Sequence, residues 1–159
     1  MADKEMDPRI TQFIANLEAL DAGERARLKR NAGHRLAEAH HTALGLFYRI
    51  LPPHVPRYQE EIYFLVATLY PLAESGGRGN LGAALHQAQN TRHKEGLHRR
   101  VEVLLDADQT QLAFRLRQAI RFLYAQRIPI NWPCLLKDLL YWTHEDRFVQ
   151  QAWARAYFA

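Results

Sequence analysis

The stretch Gln109-Thr110-Gln111-Leu112-Ala113-Phe114-Arg115-Leu116-Arg117-Gln118-Ala119-Ile120-Arg121-Phe122-Leu123-Tyr124-Ala125-Gln126 decides how the chain reads. Leu112, Leu116, Ile120 and Leu123 recur every three or four residues, the spacing that places side chains on one face of an α-helix. Arg115 and Arg117 flank that stripe on either side, and Arg121 lies one turn beyond Arg117. Arginine stems pack along apolar surface while their guanidinium heads stay in water. The stretch therefore predicts an amphipathic helix whose buried face is framed by positive charge. Asp108, three residues before Gln111, supplies a capping-box pattern at its start.

Working outward, the same period recurs on both sides. Leu97, Val101, Leu104 and Leu105 predict a helix over 97–105, and further helices are expected over 132–143 and 147–157. Ile128-Pro129-Ile130-Asn131 forms the turn before Trp132, and His144-Glu145-Asp146 the capping region of the last helix. Toward the N-terminus, Asp7-Pro8 reads as a cap followed by proline at the first helical position, ahead of Ile10, Phe13, Ile14, Leu17 and Leu20. Asp21 with Glu24 opens a short basic helix to about Ala32. Leu36, Ala39, Ala43, Leu44, Phe47 and Tyr48 sketch a third helix, ended by Pro52-Pro53, and Ile62, Leu65, Val66 and Leu69 a fourth. Asn80 is placed to cap a helix from Leu81 to about Gln89. No segment alternates with period two for long, and none repeats at a fixed period. The expected fold is all-α: two small helical bundles packed together, about eight or nine helices. Gly76-Gly77-Arg78-Gly79 reads as the linker between an N-terminal bundle, residues 1–75, and a C-terminal bundle, residues 80–159.

Composition narrows the function classes. At 48% hydrophobic residues the 159-residue chain folds rather than staying disordered, and it has room for one or two compact units. Its longest apolar stretch, Ile62 to Ala73, is interrupted by Thr68 and Pro71 and falls well short of the roughly 20 residues a membrane span needs. Met1-Ala2-Asp3-Lys4-Glu5 carries both signs with no apolar run behind it, so no secretory signal is expected and the protein is placed in the cytoplasm. Cys134 is alone, which rules out an internal disulfide; it is read as a buried small hydrophobe.

The formal charge is +4 with a pI near 9.4, and its distribution is uneven. Arg92, Lys94, Arg99, Arg100, Arg115, Arg117, Arg121 and Arg127 face only Glu95, Glu102, Asp106 and Asp108. Arg25, Arg27, Lys29, Arg30 and Arg35 face only Glu24 between positions 22 and 35. Cations with too few acids to pair them point to a polyanionic partner, and arginine suits bidentate phosphate contacts.

Three motifs imitate chemistry. Gly77-Arg78-Gly79-Asn80-Leu81-Gly82 matches the dinucleotide pattern G-x-G-x-x-G, but the pattern needs a preceding buried strand and the segment before it reads as helical. Asp106-Ala107-Asp108-Gln109-Thr110 imitates a haloacid-dehalogenase nucleophile motif, which requires a magnesium site on a doubly wound sheet. The helical spacing of Val101, Leu104 and Leu105 and the capping box at Asp108 explain those residues instead. The histidines lack metal-ligand spacing: His40-His41 diverge by about 100° on a helix, and His86, His93 and His98 lack an i, i+4 pair. Neither cofactor nor metal nor catalytic residue is expected.

Asn80-Leu81-Gly82-Ala83-Ala84-Leu85, Arg99-Arg100, Leu105-Asp106-Ala107-Asp108, Arg115-Leu116-Arg117-Gln118, Asn131-Trp132 and Leu139-Leu140-Tyr141-Trp142 occur in an order and spacing that resemble the CasB family, the small subunit of the type I-E CRISPR complex Cascade. The resemblance runs from Leu81 to Tyr157. It implies an all-helical, non-catalytic subunit present in two copies, contacting CasC and CasA and helping to hold crRNA and single-stranded and R-loop DNA in antiviral defence. It places Arg99, Arg100, Arg115 and Arg117 in a basic surface, joined by Arg30, Arg57 and Arg147; the charge clusters add Lys29 and Arg121 as candidate nucleic-acid contacts. Two other readings stand beside it: a helical protein–protein adaptor using Trp132, Trp142 and Trp153, and a magnesium-dependent phosphohydrolase acting through Asp106.

Overall fold

A computed structural model describes residues 6–90 and 94–159, apart from the side chain of Asn90. Met1–Glu5, Thr91, Arg92 and His93 lie outside the described residues. Among the described residues there are nine α-helices and no named strand. They are α1 (Pro8–Glu18), α2 (Ala22–Lys29), α3 (His41–Ile50), α4 (Glu60–Leu69), α5 (Leu81–Gln87), α6 (Lys94–Leu105), α7 (Gln109–Ala125), α8 (Trp132–Leu140) and α9 (Phe148–Tyr157). Short 3-10 turns occupy Leu36–Glu38, Arg57–Gln59, Tyr70–Leu72 and Ala88–Asn90.

The caps form where the sequence placed them. Asp7 accepts from the Arg9 amide at 2.9 Å, and Asn80 from Ala83 at 2.9 Å. Asp21 and Glu24 exchange both bonds of a capping box, at 2.8 and 3.2 Å. Asp108 accepts from the amides of Thr110 and Gln111, at 2.9 and 3.1 Å. Each satisfies helix-start donors that would otherwise lack a partner. Three expectations are corrected. The third helix does not run from Leu36: a 3-10 turn ends at Glu38, and α3 starts afresh behind His40, whose ring accepts from the Thr42 amide. The last helix has no side-chain cap from His144-Glu145-Asp146; Arg147 occupies the cap position in the left-handed region. Cys134 is only partly buried, with its sulfur 3.8 Å from Asp138 Oδ2. Burial and that carboxylate push the thiol up to about 12, so it stays an unreactive thiol.

α4 is the central helix. Tyr63 through Leu69 are all buried, which explains the long apolar stretch of the sequence. No described helix is long and apolar enough to cross a membrane. α1 and α4 pack on α8, α5 packs on α9, and α4 also touches α7. One continuous cluster of buried side chains therefore runs from Ile10 to Tyr157 and includes residues on both sides of the glycine-rich stretch. That stretch is itself held. Ile130 donates to the Glu74 carbonyl at 2.8 Å, and Gly77 donates to the Ile130 carbonyl at 3.2 Å. A Cβ at Gly77 would collide with the Pro129 carbonyl oxygen, and one at Gly82 with that of Trp153. Two glycines of the dinucleotide-like pattern thus serve close backbone packing rather than a pyrophosphate.

Candidate nucleic-acid interface

α2 is mostly hydrophilic, with Leu28 its one buried side chain, so the helix is anchored at a single point and shows its cations to solvent. Of the acids beside it, Asp21 and Glu24 exchange the bonds of the capping box, Glu24 also pairs with Arg49 at 3.2 Å, and Glu74 lines a concavity with Arg25 and Lys29. α7 buries Leu112, Leu116, Ile120 and Leu123 and leaves its arginines on either side of that stripe. Where the end of α2 faces the second half of α7, Lys29, Arg30, Arg117 and Arg121 line one groove of about 600 Å³, together with Pro71, Leu72, Tyr124 and Ala125. No carboxylate among the described residues lines it. None of the ion pairs found among the described residues uses any of these four cations. Arg117 is the most enclosed of them, and its Nε is buried without a hydrogen-bond partner among the described residues.

The groove continues on both sides of α2. Arg30 also borders a concavity with Arg27, His34, His40 and the carboxylate of Glu38, while Lys29 and Pro71 border another with Arg25, Tyr70 and the carboxylate of Glu74. Arg25 lies over the Tyr70 ring at 5.8 Å and donates to the Glu18 carbonyl at 2.7 Å. On the other side of the α7 stripe, Arg99, Arg100 and Arg115 line a separate cleft between α6 and α7. Unpaired guanidinium groups concentrated in a concave surface, as in the α2–α7 groove and the α6–α7 cleft, attract phosphate chains more strongly than the same charges scattered over a convex face.

A family model described as CRISPR-associated protein Cse2 matches residues 24–158. The chain belongs to the Cse2 family. A Cse2 protein from Thermus thermophilus is 37% identical over 102 residues, a stretch amounting to 63% of this chain and 57% of that relative, little more than half its length. The crystal structure of M. ruber CasB is similar at a TM-score of 0.79 and 33% identity, over 97% of this chain and 94% of that one. A chain of a CRISPR RNA-guided surveillance complex shares the fold at a TM-score of 0.78 and 20% identity, over 94% and 92% of the two chains.

In this Cse2 chain the nine cations singled out in the sequence fall in four places. Lys29, Arg30, Arg117 and Arg121 meet in the α2–α7 groove, and Arg99, Arg100 and Arg115 in the α6–α7 cleft. Arg57 is exposed at the start of the turn 57–59 and lines neither. Arg147 is spent elsewhere: it donates to the Leu105 carbonyl and sits beside Asp106, Asp108 and Glu145. The tryptophans offered to an adaptor are core residues, with Trp132, Trp142 and Trp153 between 0% and 3% exposed. Asp106 follows the last turn of α6, a helix rather than the strand a phosphohydrolase nucleophile needs. Asp108 is committed to capping; the Thr110 and Gln111 bonds hold its carboxyl below the usual range. Sequence reasoning missed Tyr124, 57% exposed and lining the groove. Its signal was available: Arg117, Arg121 and Tyr124 stand at i, i+4 and i+7, one helical face.

Proposed function

We propose that this chain is the non-catalytic small subunit of a type I-E Cascade surveillance complex. In this reading the α2–α7 groove holds one nucleic-acid strand, crRNA or the R-loop DNA, by its sugar-phosphate backbone. The single observation carrying the reading is the convergence of Lys29, Arg30, Arg117 and Arg121 in a groove without a carboxylate. Family membership supports the assembly, with CasC, CasA and a second copy of the chain as partners in the cytoplasm.

The action is electrostatic and mechanical. Cations neutralise phosphates and release counterions, which favours the open R-loop over reannealing. Tyr124 offers a face on which a base of any identity can stack. Sequence specificity comes from guide pairing and not from the groove. The walls come from the two proposed bundles, α2 from 1–75 and α7 from 80–159, and they grip as one unit.

The test is a crRNA-bearing complex reconstituted with this chain or with its Arg117→Ala/Arg121→Ala variant, followed by the lifetime of the R-loop. A shorter lifetime at unchanged complex composition is expected. An equal lifetime, with the variant incorporated, contradicts the assignment.

A further inference from the structure

The α6–α7 cleft differs in kind from the α2–α7 groove. Its floor is apolar, built by Leu97, Val101 and Leu104 against Ala119 and Phe122. Among the described residues its polar side chains are the guanidiniums of Arg99, Arg100 and Arg115 and the amide of Gln118, with no carboxylate. At about 360 Å³ it lies in the size range of small-ligand sites. Arg100 lies 5.5 Å from the centroid of the Phe122 ring.

These features restrict what fits. A bare phosphate gains nothing from the floor. An apolar protein side chain gains nothing from three guanidiniums, and a basic one is repelled. The ligand that uses both parts is flat, has apolar faces and is attached to an anion, which describes a nucleobase still joined to its phosphates. Phe122 and the Arg100 plane supply stacking surface. Arg99 and Arg115 supply charge-assisted bonds to the flanking phosphates. Gln118 carries both donors and an acceptor, so it can meet the edge of any base.

We propose that the α6–α7 cleft receives one unstacked nucleobase of a bound single strand. This rests on the reading that the chain holds single-stranded nucleic acid, and it adds a second contact of a different type: the groove tracks the backbone, and the cleft pins a base. The cleft is base-tolerant and requires a strand free of pairing at that position.

The test compares a short DNA single strand with its abasic counterpart, the same sugar-phosphate chain without bases, using the full chain in a Tyr124→Ala background that removes the exposed stacking face. The intact strand is expected to bind about tenfold tighter than the abasic one. Ala119→Phe, which fills the floor, erases that advantage and leaves abasic binding unchanged. Phe122→Leu, which keeps apolar volume but removes the ring, reduces the advantage severalfold and serves where the filled variant does not fold. Equal binding of the two strands, or an advantage that survives a folded variant, overturns the cleft assignment while the backbone-holding groove stands. Failure of both strands to bind at low salt overturns the groove and the cleft together.

Discussion

Two concavities of nearly equal size sit at opposite ends of α7, and they carry opposite charge. The groove against α2, about 600 Å³, is lined by four cations and no acid. The concavity at the start of α7, about 610 Å³, is bordered by Asp106, Asp108 and Glu145, with Arg147 and His144 among them. The helix explains part of this arrangement. Its N-terminus carries partial positive charge and favours the Asp108 carboxylate that caps it, whereas Arg117 and Arg121 stand before the last turn, beyond the reach of the dipole at the other end. The rise from Gln109 to Arg121 is about 18 Å, roughly two Debye lengths at physiological salt. Acids at one end therefore do little to neutralise cations at the other. A count of charge along the sequence sets Asp106 and Asp108 against Arg117 and Arg121; in space they belong to different surfaces.

The comparison breaks most visibly under charge reversal. Arg117→Glu with Arg121→Glu removes two phosphate contacts and adds two repulsions, so single-strand affinity is expected to fall at least about a hundredfold in a low-salt binding titration. Asp106→Asn with Glu145→Gln, at the far end of α7, is expected to change it less than about twofold. A comparable rise there would mean that the two ends of α7 share one field. Asp108→Ala separates stability from binding: loss of the cap costs about 1 kcal/mol and lowers the thermal midpoint by about 3 °C, with strand affinity unchanged.

The smallest effect concerns a carboxylate in neither concavity. Burial raises the pKa of Asp138 above the usual carboxylate value, against the opposing Trp153 indole donation at 2.8 Å. The unfolded chain releases this proton first, so the stability the group contributes is full below the unfolded value and is lost as pH rises through the folded one. Asp138→Asn keeps an acceptor for Trp153 and removes that dependence. Its urea midpoint is expected to exceed the parent's at neutral pH and to lose that advantage in acid. A constant difference across pH assigns the effect to packing instead.

How much was legible in the sequence follows from the range of each interaction. Asp7, Asp21, Asn80 and Asp108 act within three residues of themselves, so their caps were readable from spacing alone. The start of α3 was not, because histidine is a rare cap and Arg35–Glu38 closes a local 3-10 turn that helical spacing cannot distinguish from a helix. The positions of Arg115, Arg117 and Arg121 on α7 were legible, but not their separation into two surfaces. That division depends on which helices cover each flank: α6 on one side and the end of α2 on the other. Arg147 misled for the same reason, since its partner carbonyl at Leu105 lies on another helix.

The salt dependence of single-strand binding tests the groove most directly. Each phosphate contact on a single strand contributes about 0.7 to the slope of log K against log salt. Arg117→Ala with Arg121→Ala is therefore expected to lower the slope of the parent by about 1.4 while the helical circular-dichroism spectrum stays the same. An unchanged slope in the folded double variant would mean that these guanidiniums do not face phosphate, and the account would fail at its centre.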